Sequence, residues 1–221
     1  MLRTNSLKNR IPVGLYGALR LLRNEINMYR LHRKGVKKAK AYARQNDIKL
    51  NIGCGPNRKP GWVNIDLFPD VDLPLDMREP MPFPDNSVAI VYSEHFFEHL
   101  DYPSPAKQFL KECHRILKPG CTFSVGVPDT QWPLEAYVGP DDKGFFPSRK
   151  AKWHPEWCQT RLEHINYHFR QGTEHRFAYD FETLQHVLAE TGFTNIRERA
   201  FDPELDDESR NDGTLYVVAT K

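Results

Sequence analysis

Two glycines and one acid, placed at the ends of two short apolar runs, are the residues most able to bind a ligand. Gly53 and Gly55 follow the run 48–52, where a backbone without Cβ can adopt positive φ and approach a ligand closely. Asp66 ends a second run thirteen residues after Gly53, and a carboxylate at a strand tip can accept both hydroxyls of a ribose. The spacing predicts a nucleoside pocket, although a tight turn and a solvated strand end would give the same residues.

This pattern differs from a dinucleotide fingerprint. Arg58 stands where the third glycine would be, and the acid comes sooner than the usual spacing of about 20 residues. Pro56 and Pro60 lie in the connection, so the helix that normally follows the first strand must be short or replaced by a loop. A ligand that has ribose and adenine but no phosphate depends least on that helix. A nicotinamide dehydrogenase is therefore disfavoured.

Short apolar runs alternate with helical patterns from residue 48 onward, which predicts an open, mainly parallel α/β sheet. One helix should begin at Ser104 as N-cap and end before Lys118-Pro119-Gly120, and another should begin at Asp180. The expected strands are Ile48 to Ile52, Val63 to Asp66, Val88 to Tyr92, Thr122 to Val127, Thr194 to Ala200 and Leu215 to Ala219.

Four sequence blocks, in this order, resemble the class I S-adenosylmethionine-dependent methyltransferases with a seven-stranded Rossmann-like sheet, particularly their small-molecule group. The blocks are Leu50 to Gly55 with Asp66, Leu75-Asp76-Met77, Met81 to Leu100, and Phe109 to Gly120. The resemblance covers about residues 48–129 and, more weakly, 175–221. Ala89 and Cys121 depart from the family pattern. The segment Gly61 to Asp66 is similar to an uncharacterised bacterial branch linked to surface-polysaccharide biosynthesis.

The resemblance implies a three-layer α/β fold whose sheet is mostly parallel with the last strand antiparallel, carrying an N-terminal helical extension and a lid-like insertion. It implies S-adenosyl-L-methionine as cofactor. The residues implied to bind it are Asn51, Gly53, Cys54, Gly55, Asp66, Leu67, Asp76, Met77, Ser93 and Glu94.

Three residues near the expected ligand edge are candidate catalytic groups. Methyl transfer from a sulfonium needs an aligned acceptor, excluded water and sometimes a base. His95 follows the strand 88–92, Asp129 follows the strand 122–127, and His168 lies in the insertion. His95 could instead orient a helix, Asp129 could cap a turn, and Glu94 and Glu98 are expected to be solvated or capping groups. His154, His164, His168 and His175 show no recognisable ligand spacing, so no metal site is predicted.

Charge divides the chain into a basic arm and an acidic body. Residues 1–44 contain twelve Lys and Arg and one acid, Glu25. We expect residues 1–46 to form a basic helical extension and residues 47–221 a methyltransferase domain, with the aromatic segment 130–179 inserted over the ligand edge. An apolar helical stripe is predicted in the arm, at Leu15, Leu19, Leu22, Ile26 and Tyr29. Such a helix suits packing on the body, on a partner or in a homodimer, or peripheral contact with an anionic membrane.

Composition excludes several classes of protein. The chain is 39% hydrophobic, yet its longest apolar runs are far shorter than the roughly 20 residues that cross a bilayer. Its 4 cysteines form no Cys-x-x-Cys pair, which disfavours a zinc ribbon or a secreted disulfide scaffold.

A cytoplasmic methyltransferase acting on oxygen of a small molecule or saccharide is the main hypothesis. An RNA methyltransferase using the basic arm and a non-catalytic adenosyl-binding scaffold are the alternatives, although the segment after residue 92 lacks a base-flipping motif.

Overall fold

A six-stranded sheet organises the chain. The computed structural model describes residues 11–42, 45 and 47–221. The strands are β1 (Ile48–Ile52), β2 (Val63–Ile65), β3 (Val88–Glu94), β4 (Leu117–Pro128), β5 (Thr194–Glu198) and β6 (Thr214–Thr220). They lie in the order β2-β1-β3-β4-β6-β5. All six predicted strands are thereby confirmed, with boundaries that differ by a few residues.

The sheet is mostly parallel, as predicted. β1 pairs in parallel with β2 and β3, and β3 pairs in parallel with β4. β6 runs antiparallel to both of its neighbours, which are β4 and β5. A seventh strand is not confirmed: beyond β2 the residues that the structure describes form a single bridge, between Ile65 and Leu73. Pro74 follows at once and has no N–H to extend a ladder.

Six α-helices accompany the sheet in the described part of the chain. They are α1 (Val13–Ala39), α2 (Ser104–Ile116), α3 (Gln131–Val138), α4 (Phe145–Lys152), α5 (Arg161–Arg170) and α6 (Phe181–Glu190). The Asp180 carboxylate caps α6 by accepting the Thr183 N–H at 2.8 Å, as predicted. The Ser104 prediction is wrong in detail, because Ser104 is the first helical residue and Pro103 occupies the N-cap position without a side-chain bond.

The two faces of the sheet differ in chemistry. One face is apolar and packs against α2 and α6 in a single large core that includes Leu50, Val91 and Phe123. On the other face Asn51 lies beside Asn64 and Tyr92 in register. Residues 53–62 form turns instead of a helix, in agreement with the two prolines. The segment 201–212 supplies Asp206, which accepts a hydrogen bond from the Tyr92 hydroxyl at 3.1 Å.

The basic helix α1 attaches to the body near its C-terminal end. Gly35 and Ala39 are its buried residues, and a Cβ built on Gly35 would lie 2.4 Å from the Pro74 carbonyl oxygen. Only a glycine permits this approach. The predicted apolar stripe stands clear of the body, since Leu19, for example, remains 49% exposed. The first ten residues of the predicted extension and its boundary at residue 46 lie outside the described residues.

No helix in the described ranges combines the length and hydrophobicity that a membrane span requires.

Candidate active site

A bend after β1 forms the centre of the predicted nucleoside pocket. Gly53 and Gly55 both have positive φ, +68° and +49°, a conformation that side chains disfavour. The Asp66 carboxylate accepts the Gly55 N–H at 2.8 Å and the Phe68 N–H at 2.9 Å. A carboxylate has room for about four hydrogen bonds, so Asp66 retains acceptor capacity beside the bend. The structure therefore brings the two parts of the predicted pocket together.

Asp76, one of the residues implied to bind the cofactor, has an arginine partner. Arg78 binds the Asp76 carboxylate through Nε at 3.0 Å and Nη2 at 2.7 Å, and it also pairs with Glu25 of α1 at 2.9 Å. Partial burial favours the neutral acid, but the hydrogen bonds from Arg78 outweigh it and hold the pKa of Asp76 below its ordinary value. Met77 is buried and Leu67 partly exposed. Asp76 thus links the sheet edge to α1.

A cavity of about 240 Å³ lies against the bend. Four of the predicted cofactor residues line it: Asn51, Gly53, Cys54 and Glu94. Lys59, Asp206, Asp207 and Arg210 add charges of both signs. Burial raises the pKa of the Glu94 carboxyl. We call this space the bend cavity; Asp66, Leu67, Asp76 and Met77 do not belong to its lining.

A second cavity, of about 230 Å³, lies between the sheet edge and the insertion. We call it the histidine cavity, because five histidines line it: His95, His99, His154, His168 and His175. Helices α4 and α5 contribute Arg149, Tyr167 and His168, while Arg210 lines both cavities. The insertion therefore forms a polar wall over the carboxyl ends of the strands, which is the edge where open α/β sheets bind ligands.

The three candidate catalytic residues occupy different positions. His95 lines the histidine cavity in a left-handed conformation (φ +51°), with Nε2 2.8 Å from the Thr214 hydroxyl. His168 lines it too and donates from Nε2 to the Asp129 carbonyl at 2.9 Å. The Asp129 carboxylate accepts the N–H groups of Gln131 and Trp132, so its side chain caps the start of α3. This is the alternative role considered for Asp129, and the side chain is committed to it.

Burial keeps these imidazoles neutral. It lowers the pKa of His95 well below its ordinary value and lowers that of His168 to about 4. Nearby positive charge, from Arg210 for His95 and Arg149 for His168, acts in the same direction. Both rings are therefore acceptors at neutral pH.

Glu94 and Glu98 contradict the expectation that they are solvated or capping groups. Their exposed fractions are 7% and 2%. Burial raises the pKa of Glu98 to about 8. The expectation was wrong because Glu94, at the end of β3, is covered by Asp207 and Tyr216. Glu98 lies in the 3-10 turn Phe97–His99, where the insertion covers it. The spacing of His95, Glu98 and His99 is a sequence signal of this shared site, which was not predicted.

The bend suits the adenosyl cofactor that the sequence resemblance implies. No described heavy atom lies within 4 Å of a Cβ built on Gly55, so the bend is open at this point. The Ser93 hydroxyl, at the end of β3, is buried and lacks a hydrogen-bond partner among the described residues. Asp66 offers free acceptor positions, and the bend cavity carries both an acidic and a basic wall. These are the groups that a ribose and the charged end of an amino acid require.

Comparison with known proteins supports this assignment. Residues 66–125 match the methyltransferase domain family. A protein of Mycolicibacterium smegmatis named a "probable S-adenosylmethionine-dependent methyltransferase" is 37% identical over 62 residues, which is 28% of this chain and 23% of that protein. This chain thus matches less than a quarter of the relative's length.

Solved structures are similar over most of the chain. A SAM-dependent methyltransferase from Archaeoglobus fulgidus is 16% identical with a TM-score of 0.46, covering 89% of this chain and 94% of that one. A methyltransferase from Mesorhizobium loti is 16% identical with a TM-score of 0.47, covering 81% and 93%. The domain match, set beside the bend, Asp66 and the sheet order, makes residues 66–125 of this chain similar to a methyltransferase domain.

Proposed function

We propose that this chain transfers a methyl group from S-adenosylmethionine to an oxygen of a small molecule or saccharide bound in the histidine cavity. One observation carries the proposal: the two cavities meet at the end of β3. Arg210 lines both, and the consecutive residues Glu94 and His95 line the bend cavity and the histidine cavity respectively. A cofactor held at the bend and an acceptor held under the insertion would therefore be neighbours, as an in-line displacement requires.

The lining of the histidine cavity favours a hydroxylated or anionic acceptor. Arg149 is 6% exposed and donates to the Asp212 carbonyl, and its buried Nε lacks a partner in the described part of the chain. Arg210 donates to the Glu94 carbonyl at 3.3 Å. Two guanidinium groups at one cavity suit carboxylate or phosphate recognition. An acidic sugar or another small hydroxy acid has this chemistry.

The residues of this chain would bind the cofactor, orient the acceptor and remove the proton from its hydroxyl group. Asp66 would accept the ribose hydroxyls and Ser93 would hydrogen-bond the bound cofactor, which supplies the electrophilic methyl group. His168 donates from Nε2 to a backbone carbonyl, so the lone pair lies on Nδ1. That nitrogen and His95 are the groups placed to accept the acceptor's proton. The insertion would exclude water by covering the cavity.

Cofactor binding tests the proposal directly. Calorimetric titration with S-adenosylmethionine or its demethylated product should show binding, and Asp66→Asn should weaken it at least about tenfold, since a hydrogen bond to a charged group contributes about 1.5–3 kcal/mol. Asp70→Asn is the matched control, because Asp70 is exposed nearby. Equal affinities for the two variants would contradict the assigned role of Asp66. No heat with the wild-type chain would overturn the function.

A methyl-transfer assay tests the proposed class of acceptor. Tritium from the labelled methyl group should appear in acidic saccharides and hydroxy acids rather than in neutral ones, and Arg149→Gln should raise KM for the acidic acceptor. Cofactor binding without transfer to any acceptor would favour the non-catalytic scaffold instead.

We propose an anionic membrane surface as the partner of α1. Leu22, Ile26 and Tyr29 are 58%, 44% and 60% exposed along the stripe, and the helix carries several bases with a single acid, Glu25. A helix with an exposed apolar face and basic flanks suits a lipid interface, whereas RNA binding needs only the charge. The RNA methyltransferase alternative is therefore the less favoured one, and salt-sensitive RNA binding by the full chain would restore it.

A further inference from the structure

One buried carboxylate faces three histidines beneath the histidine cavity. Both oxygens of Glu98 lack a hydrogen-bond partner in the ranges that the structure describes. Its Oε1 lies 3.6 Å from His95 Nδ1, 3.9 Å from His99 Nε2 and 3.9 Å from His175 Nε2. These separations exceed hydrogen-bonding distance. Leaving a buried carboxylate without partners is costly, so the cluster requires an explanation.

The hydrogen bonds behind the rings fix where two of the lone pairs lie. His99 Nδ1 is 3.1 Å from the Glu174 carbonyl, and His175 Nδ1 is 3.2 Å from the His168 carbonyl. A carbonyl only accepts, so each Nδ1 carries the proton and each Nε2 carries the lone pair. Both lone pairs therefore belong to the nitrogens nearest Glu98. A backbone carbonyl behind the imidazole is also the usual support of a metal-bound histidine.

The position of the His95 lone pair follows from a hydrogen bond to a hydroxyl group. The Thr214 hydroxyl donates its proton to the Arg210 carbonyl, so it must accept from His95 Nε2, 2.8 Å away. The His95 lone pair then lies on Nδ1, the nitrogen 3.6 Å from Glu98. Three imidazole lone pairs thus converge on Glu98, whose carboxyl group is the only possible donor among these four side chains. A single proton on Glu98 could satisfy only one of the three histidines.

We propose that Glu98, His99 Nε2 and His175 Nε2 bind a divalent transition-metal ion. The ligand atoms of Glu98, His99 and His175 all lie within 4.8 Å of one another. Ligands about 2.0–2.2 Å from a tetrahedral ion are roughly 3.3–3.6 Å apart, so a small contraction closes the site. Imidazole nitrogens with one carboxylate suit Zn²⁺, and also Mn²⁺, Fe²⁺ or Co²⁺, better than Mg²⁺ or Ca²⁺.

The ion would face the acceptor, because all three ligand residues line the histidine cavity. A cation there would bind an acceptor hydroxyl and favour its deprotonated form. This role rests on the proposed function, whereas metal binding itself does not. The test therefore measures the metal first and methyl transfer separately.

Metal content tests the proposal without any assay of activity. The full chain, stripped with a chelator and reconstituted with Zn²⁺, should retain one ion by elemental analysis. Glu98→Gln and His175→Ala should each weaken binding by at least about 100-fold, the upper end of what loss of even an outer-shell partner costs. His186→Ala is the matched control, because His186 is an exposed histidine whose side chain is 71% accessible. Retention of no ion by the wild-type chain would overturn the proposal.

X-ray absorption of the zinc-loaded wild-type chain gives a second test that needs no variant. The cluster of His154, Cys158 and His164 is the competing location. A site at Glu98 predicts only nitrogen and oxygen neighbours near 2.0–2.1 Å, whereas Cys158 would add sulfur at about 2.3 Å. A sulfur neighbour, or metal lost in Cys158→Ala but kept in Glu98→Gln, would contradict the assignment. Should the metal bind as proposed while methyl transfer is absent, the proposed function alone would fail.

Discussion

Replacing Gly53 with alanine should reveal how tightly the bend is packed. A Cβ at Gly53 would lie 2.3 Å from both Cβ and Cγ of Phe96, in a residue with φ +68°. The left-handed conformation costs an alanine about 1–2 kcal/mol, and overpacking adds typically about 1–3 kcal/mol. We therefore expect Gly53→Ala to lower the free energy of unfolding by about 2–5 kcal/mol.

Gly55→Ala is the matched control for backbone strain. Its φ is +49°, and no described heavy atom lies within 4 Å of the added Cβ. Gly55→Ala should lower the free energy of unfolding only by the cost of the left-handed conformation, about 1–2 kcal/mol. Urea unfolding followed by circular dichroism and by tryptophan fluorescence would give both values, provided that the two transitions coincide.

A double-mutant cycle isolates the contact with Phe96. The partner substitution must be Phe96→Gly, because the Phe96 Cβ is itself among the nearest atoms. In that background the cost of Gly53→Ala should fall to the cost of Gly55→Ala. Equal costs for the two alanines in the wild-type background, or an unchanged cost after Phe96→Gly, would refute the packing argument.

Three further perturbations test other parts of the molecule. Gly35→Ala should detach α1 from the sheet edge, seen as faster proteolysis of the helix, while Gly17→Ala, which meets no described atom within 4 Å, should stabilise the helix by about 0.5–1 kcal/mol. Leu22→Glu should abolish co-sedimentation of the full chain with anionic vesicles; retained binding, or a change of oligomeric state instead, would contradict the lipid partner. Hydrogen bonds from an arginine lower the pKa of Glu112, so its contribution is present above its unfolded value of 4.5 and is lost as pH falls through the lower folded value. Glu112→Gln should therefore cost about 1.5–3 kcal/mol at pH 7 and flatten the acid limb of the stability curve, and an unchanged pH profile would contradict this role.

The fold was predictable because local signals and global packing agree. Apolar runs of strand length, the Asp180 cap and the glycine-rich bend each specify one element, and the sheet joins them in order. The three short helices between residues 131 and 170 were not predicted. Their buried residues, such as Phe145 and Ile165, pack in a small separate cluster, so the periodicity within any one helix is weak. The boundary of the arm and the limits of the insertion remain predictions.

The site was only partly predictable, since its parts come from distant segments. The spacing along two neighbouring strands was enough to predict Gly53, Gly55 and Asp66 as site residues. The spacing did not predict the partners of Glu98, because His175 arrives from a loop 77 residues later. The left-handed turn at His95 (φ +51°) is likewise set by its surroundings. Sequence periodicity carries no information about either.

The attachment of Glu98 to the insertion has a consequence for motion. Its carbonyl accepts the N–H groups of Arg176 at 2.7 Å and Phe177 at 3.3 Å, while its side chain faces His175. One carbonyl oxygen thus holds two consecutive residues of the loop, so both hydrogen bonds should break together when the loop moves away from Glu98. Amide hydrogen exchange at Arg176 and Phe177 should then proceed through one shared opening event. Any cation captured between Glu98 and His175 would slow that event for both amides by the same factor.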